Sequence, residues 1–441
     1  MKKIFLSLIS ISFLVSARSQ ETVYPAPAQS TTIAVTGATI HKGNGEVIED
    51  ATIIMTDGKI AAVGKNIPVP SGASTIDAKG KHIYPGLILP TSNLGLIEVS
   101  SVRAMNDAQE IGDMNPNVRA IVAYNTDSKV INTLRSNGIL LANVVPQGGL
   151  LSGSSSVVQL DAWNWEDAAY KTDEGIHFNM PTLMARPRFG GFGGGGGGGR
   201  GQGAETDPVK EGLEKVEMIK NFFREAKAYA AVPAHEQTNL KFESVRGLFD
   251  KKQKFYVHAN TVKQMLVALD FVKEFGFDVV IVGGTDSWQI PDLLKQNNIS
   301  VILNQPHSLP TAADDDVDQP YKTPAILQKA GVLFSISDDD PQTRGRNLAF
   351  NAGTAAAYGL SKEEALAAIS LNAAKILGVS DKTGSIEVGK EANIIISEGD
   401  LLDMKSSVIT EAFIQGRKID LTDKQKQLND RYNQKYKLKP F

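Results

Sequence analysis

Two kinds of hydrophobic periodicity divide the chain. Between residues 31 and 83, short β-branched runs such as 32–35 and 51–55 alternate with turn residues. Asp57-Gly58 is a hairpin signal, because both central positions of a type I′ turn take positive φ. Gly43-Asn44-Gly45 and Ser71-Gly72 mark further turns. The pattern returns at 385–388, 392–397 and 408–415, punctuated by Gly389-Lys390 and Gly399-Asp400. Two β-rich ends around one long middle segment predict a small β-sandwich built jointly from 21–82 and 384–420.

The middle segment follows a different rhythm. Short apolar runs at 139–145, 157–160, 176–180, 255–258, 279–282, 301–304 and 332–336 alternate with helical patterns. That alternation is the signature of βα units around a parallel sheet, and predicts an α/β domain over 83–383. Within 262–275, Val262, Met265, Leu266, Leu269 and Val272 fall on one helical face. Residues 361–377 read as one helix, opened by a Ser361/Glu364 capping box and stopped at Gly378. Residues 190–203 are almost all glycine and predict a flexible surface insertion, since such a run cannot offset its ordering entropy. Residues 421–441 remain as a C-terminal tail.

Composition narrows the functional classes. With 441 residues, 42% of them hydrophobic and 22% charged, the chain suits a soluble enzyme with a large barrel and a small second domain. A net charge of -3 gives no electrostatic case for nucleic acid or an anionic membrane. The chain contains no cysteine, which excludes thiolate catalysis and Cys-ligated zinc. Lys2 and Lys3, the apolar run 4–15, and small residues near Ala17 and Ser19 predict a signal peptide over 1–20. The expected location is therefore secreted or periplasmic. That run is too short to span a bilayer, and no later stretch predicts membrane insertion. A homo-oligomer is compatible with these features.

"DGKIAAVG" (57–64), "YPGLI" (84–88), "VHAN" (257–260), "GLSKEEALAAISLNAAKILGV" (359–379) and "GSIEVGKEANIIISEGD" (384–400) occur in this order. Together they resemble the imidazolonepropionase-like branch of the amidohydrolase superfamily, over about residues 31–420. The resemblance implies a (β/α)8 barrel whose strand C-termini hold one or two divalent metals, usually zinc. The metal would activate a water against a carbon–nitrogen bond in a small amide or cyclic amide.

In that family an H-x-H pair follows the first strand, histidines close strands five and six, and an aspartate follows strand eight. Here Thr91 and Asn93 occupy the first-strand histidine positions, and Gly283 stands near the sixth. His258 matches the strand-five histidine and Asp338 the strand-eight aspartate, giving both a metal-binding and catalytic expectation. Two ligands fall short of the three that catalytic zinc usually takes, so any metal is expected to be weakly held or absent. His307 and Asn304, after the seventh strand, are candidates for substrate contact, and His307 also for a third ligand. A solvated loop is the bland alternative for His307. Arg344 either holds a substrate carboxylate through its guanidinium fork or is surface charge. His41, His82, His177 and His235 have no partner motif and read as structural. The expected function is hydrolysis of a non-peptide carbon–nitrogen bond; the alternative is a catalytically inactive barrel serving as a ligand-binding or partner subunit.

Overall fold

A computed structural model describes residues 23–184, 207–338 and 343–438. The expected signal peptide and the glycine-rich insertion lie outside the described residues. Two eight-stranded sheets organise the rest. The first contains β1 (Ile33–His41), β2 (Val47–Thr56), β3 (Lys59–Gly64), β4 (Ser74–Asp77) and β5 (His82–Pro85). It is completed from the other end of the chain by β14 (Ile394–Ser397), β15 (Ile409–Ile414) and β16 (Arg417–Lys418). The strand order is β16-β15-β14-β5-β1-β2-β3, with β4 paired to β1. Val35, Ile53, Met55, Ile83, Ile394 and Phe413 meet in a core of its own.

The second sheet is the barrel: β6 (Leu87–Ser92), β7 (Ile139–Val144), β8 (Leu151–Gln159), β9 (Ala169–Asn179), β10 (Lys254–Ala259), β11 (Val279–Gly283), β12 (Ser300–Leu303) and β13 (Phe334–Ile336). These strands lie in sequence order. The expected barrel is present, and the two chain ends expected to build a small β-sandwich join in one separate sheet. Between β13 and β6 the seam is bridged at one end by hydroxyls: Thr91 Oγ1 lies 2.8 Å from Ser337 Oγ, and Ser337 Oγ donates to Thr91 O at 3.2 Å.

One strand departs from the regular βα plan. β8 runs antiparallel to both β7 and β9, whereas the β9-to-β13 pairs are parallel. Residues 145–150 are too few for a helical crossover, which takes about a dozen residues or more. Part of the work of the missing helix falls to the segment after the first strand. It forms bridges Gln109↔Gln147, Met114↔Leu151 and Arg119↔Ser154.

Side-chain alternation sets what faces the bore. Phe178 and Phe255 point outward into an aromatic layer with Phe223 and Phe271, from helices Pro208–Ala230 and Val262–Phe275. Their neighbours His177 and Tyr256 consequently face the opposite side. Helix Val262–Phe275 buries Met265, Ala268, Leu269 and Phe271, while Leu266 is exposed. The single helix expected over 361–377 is two, Lys362–Ala368 and Leu371–Ile376. The capping box is present, but Ser370 Oγ turns back to Leu366 O, and Ile369 O accepts from Ile88 N in the barrel. The tail contains helix Lys424–Tyr436, joined to helix Lys129–Ser136 through Thr133 and Gln425. No helix among the described residues is long and apolar enough to cross a membrane.

Sheet and barrel are tied by a buried carboxylate. Asp161 accepts from Arg135 at 2.5 Å, from Arg417 in β16 at 2.9 Å, and from Ala26 N at 2.9 Å. Its side chain is fully buried. Replacing it leaves two guanidiniums without their counter-charge, and a lone buried charge is far costlier than a paired one. Asp161→Ala should lower unfolding free energy by about 3–5 kcal/mol, read from urea denaturation.

Candidate functional site

The parallel register of β9 and β10 pairs His177 with Tyr256 and Asn179 with His258. His258 sits near the C-terminal end of its strand, and His177 lies one pleat lower. The two rings meet at His177 Nδ1 and His258 Nε2, 2.9 Å apart. One nitrogen must donate and the other accept, so this bond holds only while at least one ring is neutral. Burial settles the matter for both. It lowers the His258 pKa to about 4 and drives that of His177 well below its ordinary value, with the neighbouring His258 adding to the latter shift. His177 is fully buried and stacks on Tyr256 with ring centres 4.7 Å apart. The Tyr256 hydroxyl donates in turn to Glu174. His177 Nε2 is buried with no hydrogen-bond partner among the described residues.

His258 opens onto a cavity of about 540 Å³ at the C-terminal end of the strands. Thr91, Asn93, Asn304 and Gly283 also line it, so four expected positions share one space with His258. Asn93 donates to Val145 O at 2.7 Å and accepts from Gln147 at 2.5 Å. Asn304 Oδ1 is buried without a partner among the described residues.

The other candidates are placed differently. Asp338, buried just after β13, accepts from Arg344 Nε at 2.8 Å and from Asn351 at 3.4 Å, and does not line the cavity. Arg344 thus pairs through Nε with the chain's own carboxylate, while its side chain is 47% exposed. His307 is exposed, bonded to Thr354 at 3.0 Å with its ring against Tyr321, and lies away from the cavity lining.

Divalent metals are the usual cofactor of amidohydrolases, and the donor chemistry here does not fit one. Thr91 and Asn93 spend their polar atoms on Ser337, Val145 and Gln147. A side chain at Gly283 would collide with the Asn260 carboxamide, and Gly283 has φ +101°, so the sixth strand has no room for an imidazole. Nε2 of His258 is taken by His177. Among the described residues no three His, Asp or Glu side chains converge on a point that could hold a metal ion. Asp339 and Asp340 lie outside the described residues.

His177 was missed by sequence reasoning. The available signal was parity: the apolar runs 176–180 and 255–258 are neighbouring parallel strands, and both histidines belong to their inward-facing sets.

The amidohydrolase family model matches residues 192–422, just over half of the chain. An imidazolonepropionase from Thermoplasma volcanium is 37% identical over 393 residues, covering 82% of this chain and 89% of its own. The chain belongs to the amidohydrolase family. It falls in the imidazolonepropionase-like branch of this family of carbon–nitrogen hydrolases. The amidohydrolase tasK of Hapsidospora irregularis is 21% identical over 395 residues, and the chain spans only 39% of its length. An amidohydrolase structure from Thermotoga maritima superposes with a TM-score of 0.75 at 25% identity, covering 88% of this chain and 99% of that one.

The neutral pair has a pH signature. Unfolded histidine takes up a proton as pH falls through its ordinary value of 6.5, while His258 in this amidohydrolase stays neutral until about 4. The unfolded state therefore binds more protons in that window, and stability is lost as pH falls through it. For His258 alone the loss is on the order of 3 kcal/mol. Urea unfolding at pH 6.5 and 5 should show decreasing stability, with a shallower slope in a His177→Gln, His258→Gln double variant.

Proposed function

We propose that this amidohydrolase cleaves the carbon–nitrogen bond of a small amide or cyclic amide in the cavity at the barrel's C-terminal end, with His258 as the catalytic residue. What carries the reading is a neutral imidazole, backed by a buried second imidazole, opening into a cavity where barrel enzymes place their chemistry. His258 Nδ1 has no hydrogen-bond partner among the described residues. With the His258 proton on Nε2, donated to His177, Nδ1 accepts a proton from an attacking water. The water oxygen bonds to the carbonyl carbon, the carbon–nitrogen bond breaks, and the proton passes from Nδ1 to the departing nitrogen. A base of low pKa is a weak proton acceptor, but its conjugate acid readily protonates a poor leaving group. His177 is a positioning residue: it fixes the ring and its tautomer. No step is routed through a metal, because the donors present do not suit one. Asp338 serves in this reading to hold Arg344 and Asn351 at the barrel end. The basic and apolar start of the chain supports a signal peptide, and with it a reaction outside the cytoplasm.

His258→Gln should lower kcat/KM by about 100-fold or more. Because the base must be neutral, wild-type kcat/KM should hold from pH 7 down to 5 and fall through an apparent pKa near 4, measured on folded protein. Exhaustive dialysis against a chelator should leave the rate unchanged. Loss of activity on chelation, restored by zinc, would overturn the proposal.

A further inference from the structure

The joint between sheet and barrel contains a second histidine pair, built differently from the first. His41 ends β1 and His82 opens β5, parallel neighbours in the two-ended sheet. Their rings meet at His41 Nε2 and His82 Nδ1, 3.0 Å apart. The other nitrogen of His41 lies 2.7 Å from Glu363 Oε1. Glu363 belongs to the first turn of helix Lys362–Ala368, which packs on the barrel core through Ala365, Leu366 and Ala368. Tyr84 in β5 stacks on the His41 ring with centres 4.5 Å apart, and its buried hydroxyl accepts from Leu401 N. His41 and Glu363 are 16% and 20% exposed, so water screens their contact little.

Hydrogen positions decide what this array can hold. With both rings neutral, His41 Nδ1 donates to Glu363 and His41 Nε2 accepts from His82 Nδ1. One added proton reverses the central bond without breaking it: His41, now an imidazolium, donates to Glu363 and to His82 together. Its charge then faces the Glu363 carboxylate and the Tyr84 ring, and both contacts favour it. A second proton has no such place. Both facing nitrogens would carry hydrogens, the bond would be lost, and two positive charges would stand side by side. Charges on the surrounding elements are already engaged. Lys362 pairs with Asp400 at 2.7 Å, Glu364 is held by Ser361 and Gln328, Lys42 pairs with Glu46, and Lys81 reaches Thr410. Burial first, then the neighbouring His41, hold the His82 pKa below its ordinary 6.5, with Asp400 opposing and Lys362 adding to the fall.

We propose that Glu363, His41 and His82 form a proton-operated latch between the two-ended sheet and the barrel, closed while the histidine pair carries at most one added proton and open once it carries two. His82 is only partly buried, so a proton reaches it without unfolding the barrel. The latch acts on the barrel through a short path. Helix Lys362–Ala368 runs into Ile369, whose carbonyl accepts from Ile88 N in β6, and β6 carries Thr91 to the cavity. Releasing the first turn of that helix slackens the support of this strand. The direction follows from proton binding. As pH falls from 6.5, the opened joint takes up a proton at His82 that the closed joint resists, so the closed form is lost in acid.

Hydrogen exchange of the full chain at pH 7 and pH 5, read by mass spectrometry and corrected for the intrinsic exchange rate, tests the latch. Peptides spanning 81–85 and 362–368 should lose about tenfold more protection than a barrel peptide spanning 139–144, which records any global loss. His82→Asn offers His41 a donor or an acceptor but takes up no proton, so the difference between joint and barrel peptides should shrink to about twofold or less. Glu363→Gln removes the counter-charge of the first proton, and the joint should then open at a higher pH than in wild type. Nitrogen NMR of histidine-labelled wild type gives a readout that needs no variant: the two rings should titrate in separate steps, and this ordering decides if His82→Asn does not fold. Equal loss in joint and barrel peptides, an unchanged pH dependence in folded His82→Asn, or titration of both rings in a single step would overturn the proposal.

Discussion

Gly86 joins β5 to β6 with no intervening loop, and its N–H is held by Asn393 O from the distant C-terminal segment. A Cβ there would run into the Leu140 side chain. The chain therefore leaves the two-ended sheet and enters the barrel as one nearly continuous strand, clasped from both sides. The sheet thereby lies against the N-terminal end of the first barrel strand. The opposite end is left for loops, and there the cavity forms. Asp161 reinforces the clasp with charge, but the close approach at Gly86 fixes where each sheet begins.

Most of the architecture was readable in the sequence because its signals are local. Turn residues, β-branched runs and the Ser361/Glu364 cap each act within a few positions, and most of the corresponding strands and the helix start appear where the pattern places them, although the run at 385–388 forms no strand. What escaped detection depends on partners far away in sequence. The reversed direction of β8 is decided by a short link and by a covering segment from the first strand. Ile369, inside an apparently uninterrupted helical pattern, gives its carbonyl to the barrel and breaks the helix.

The site divides along the same line. His258 was identified from a short motif, and the substitutions at Thr91, Asn93 and Gly283 were visible as departures from it. Relations between those residues were not. Asp338 was read as a metal ligand and catalytic group, and Arg344 as a substrate clamp or surface charge, yet the two form an ion pair through Arg344 Nε. His177 carried no motif because its meaning lies in a cross-strand bond. The amides around the cavity come from segments following several different strands, and no linear spacing announces such a set.

The hydroxyl bridge between Thr91 and Ser337 constrains what position 91 can become. It fills one of the two places where the family resemblance leads one to expect an imidazole, and it helps to close the barrel seam. A histidine there would remove the contact between the two hydroxyls and press a larger ring into a buried position, while Ser337 would keep its bond to the main-chain carbonyl of residue 91. Position 283 resists a side chain as well, through its positive φ and the Asn260 carboxamide beside it. A set of imidazoles therefore cannot be installed here by side-chain exchange alone: the seam and the turn after the sixth strand would have to be rebuilt with it.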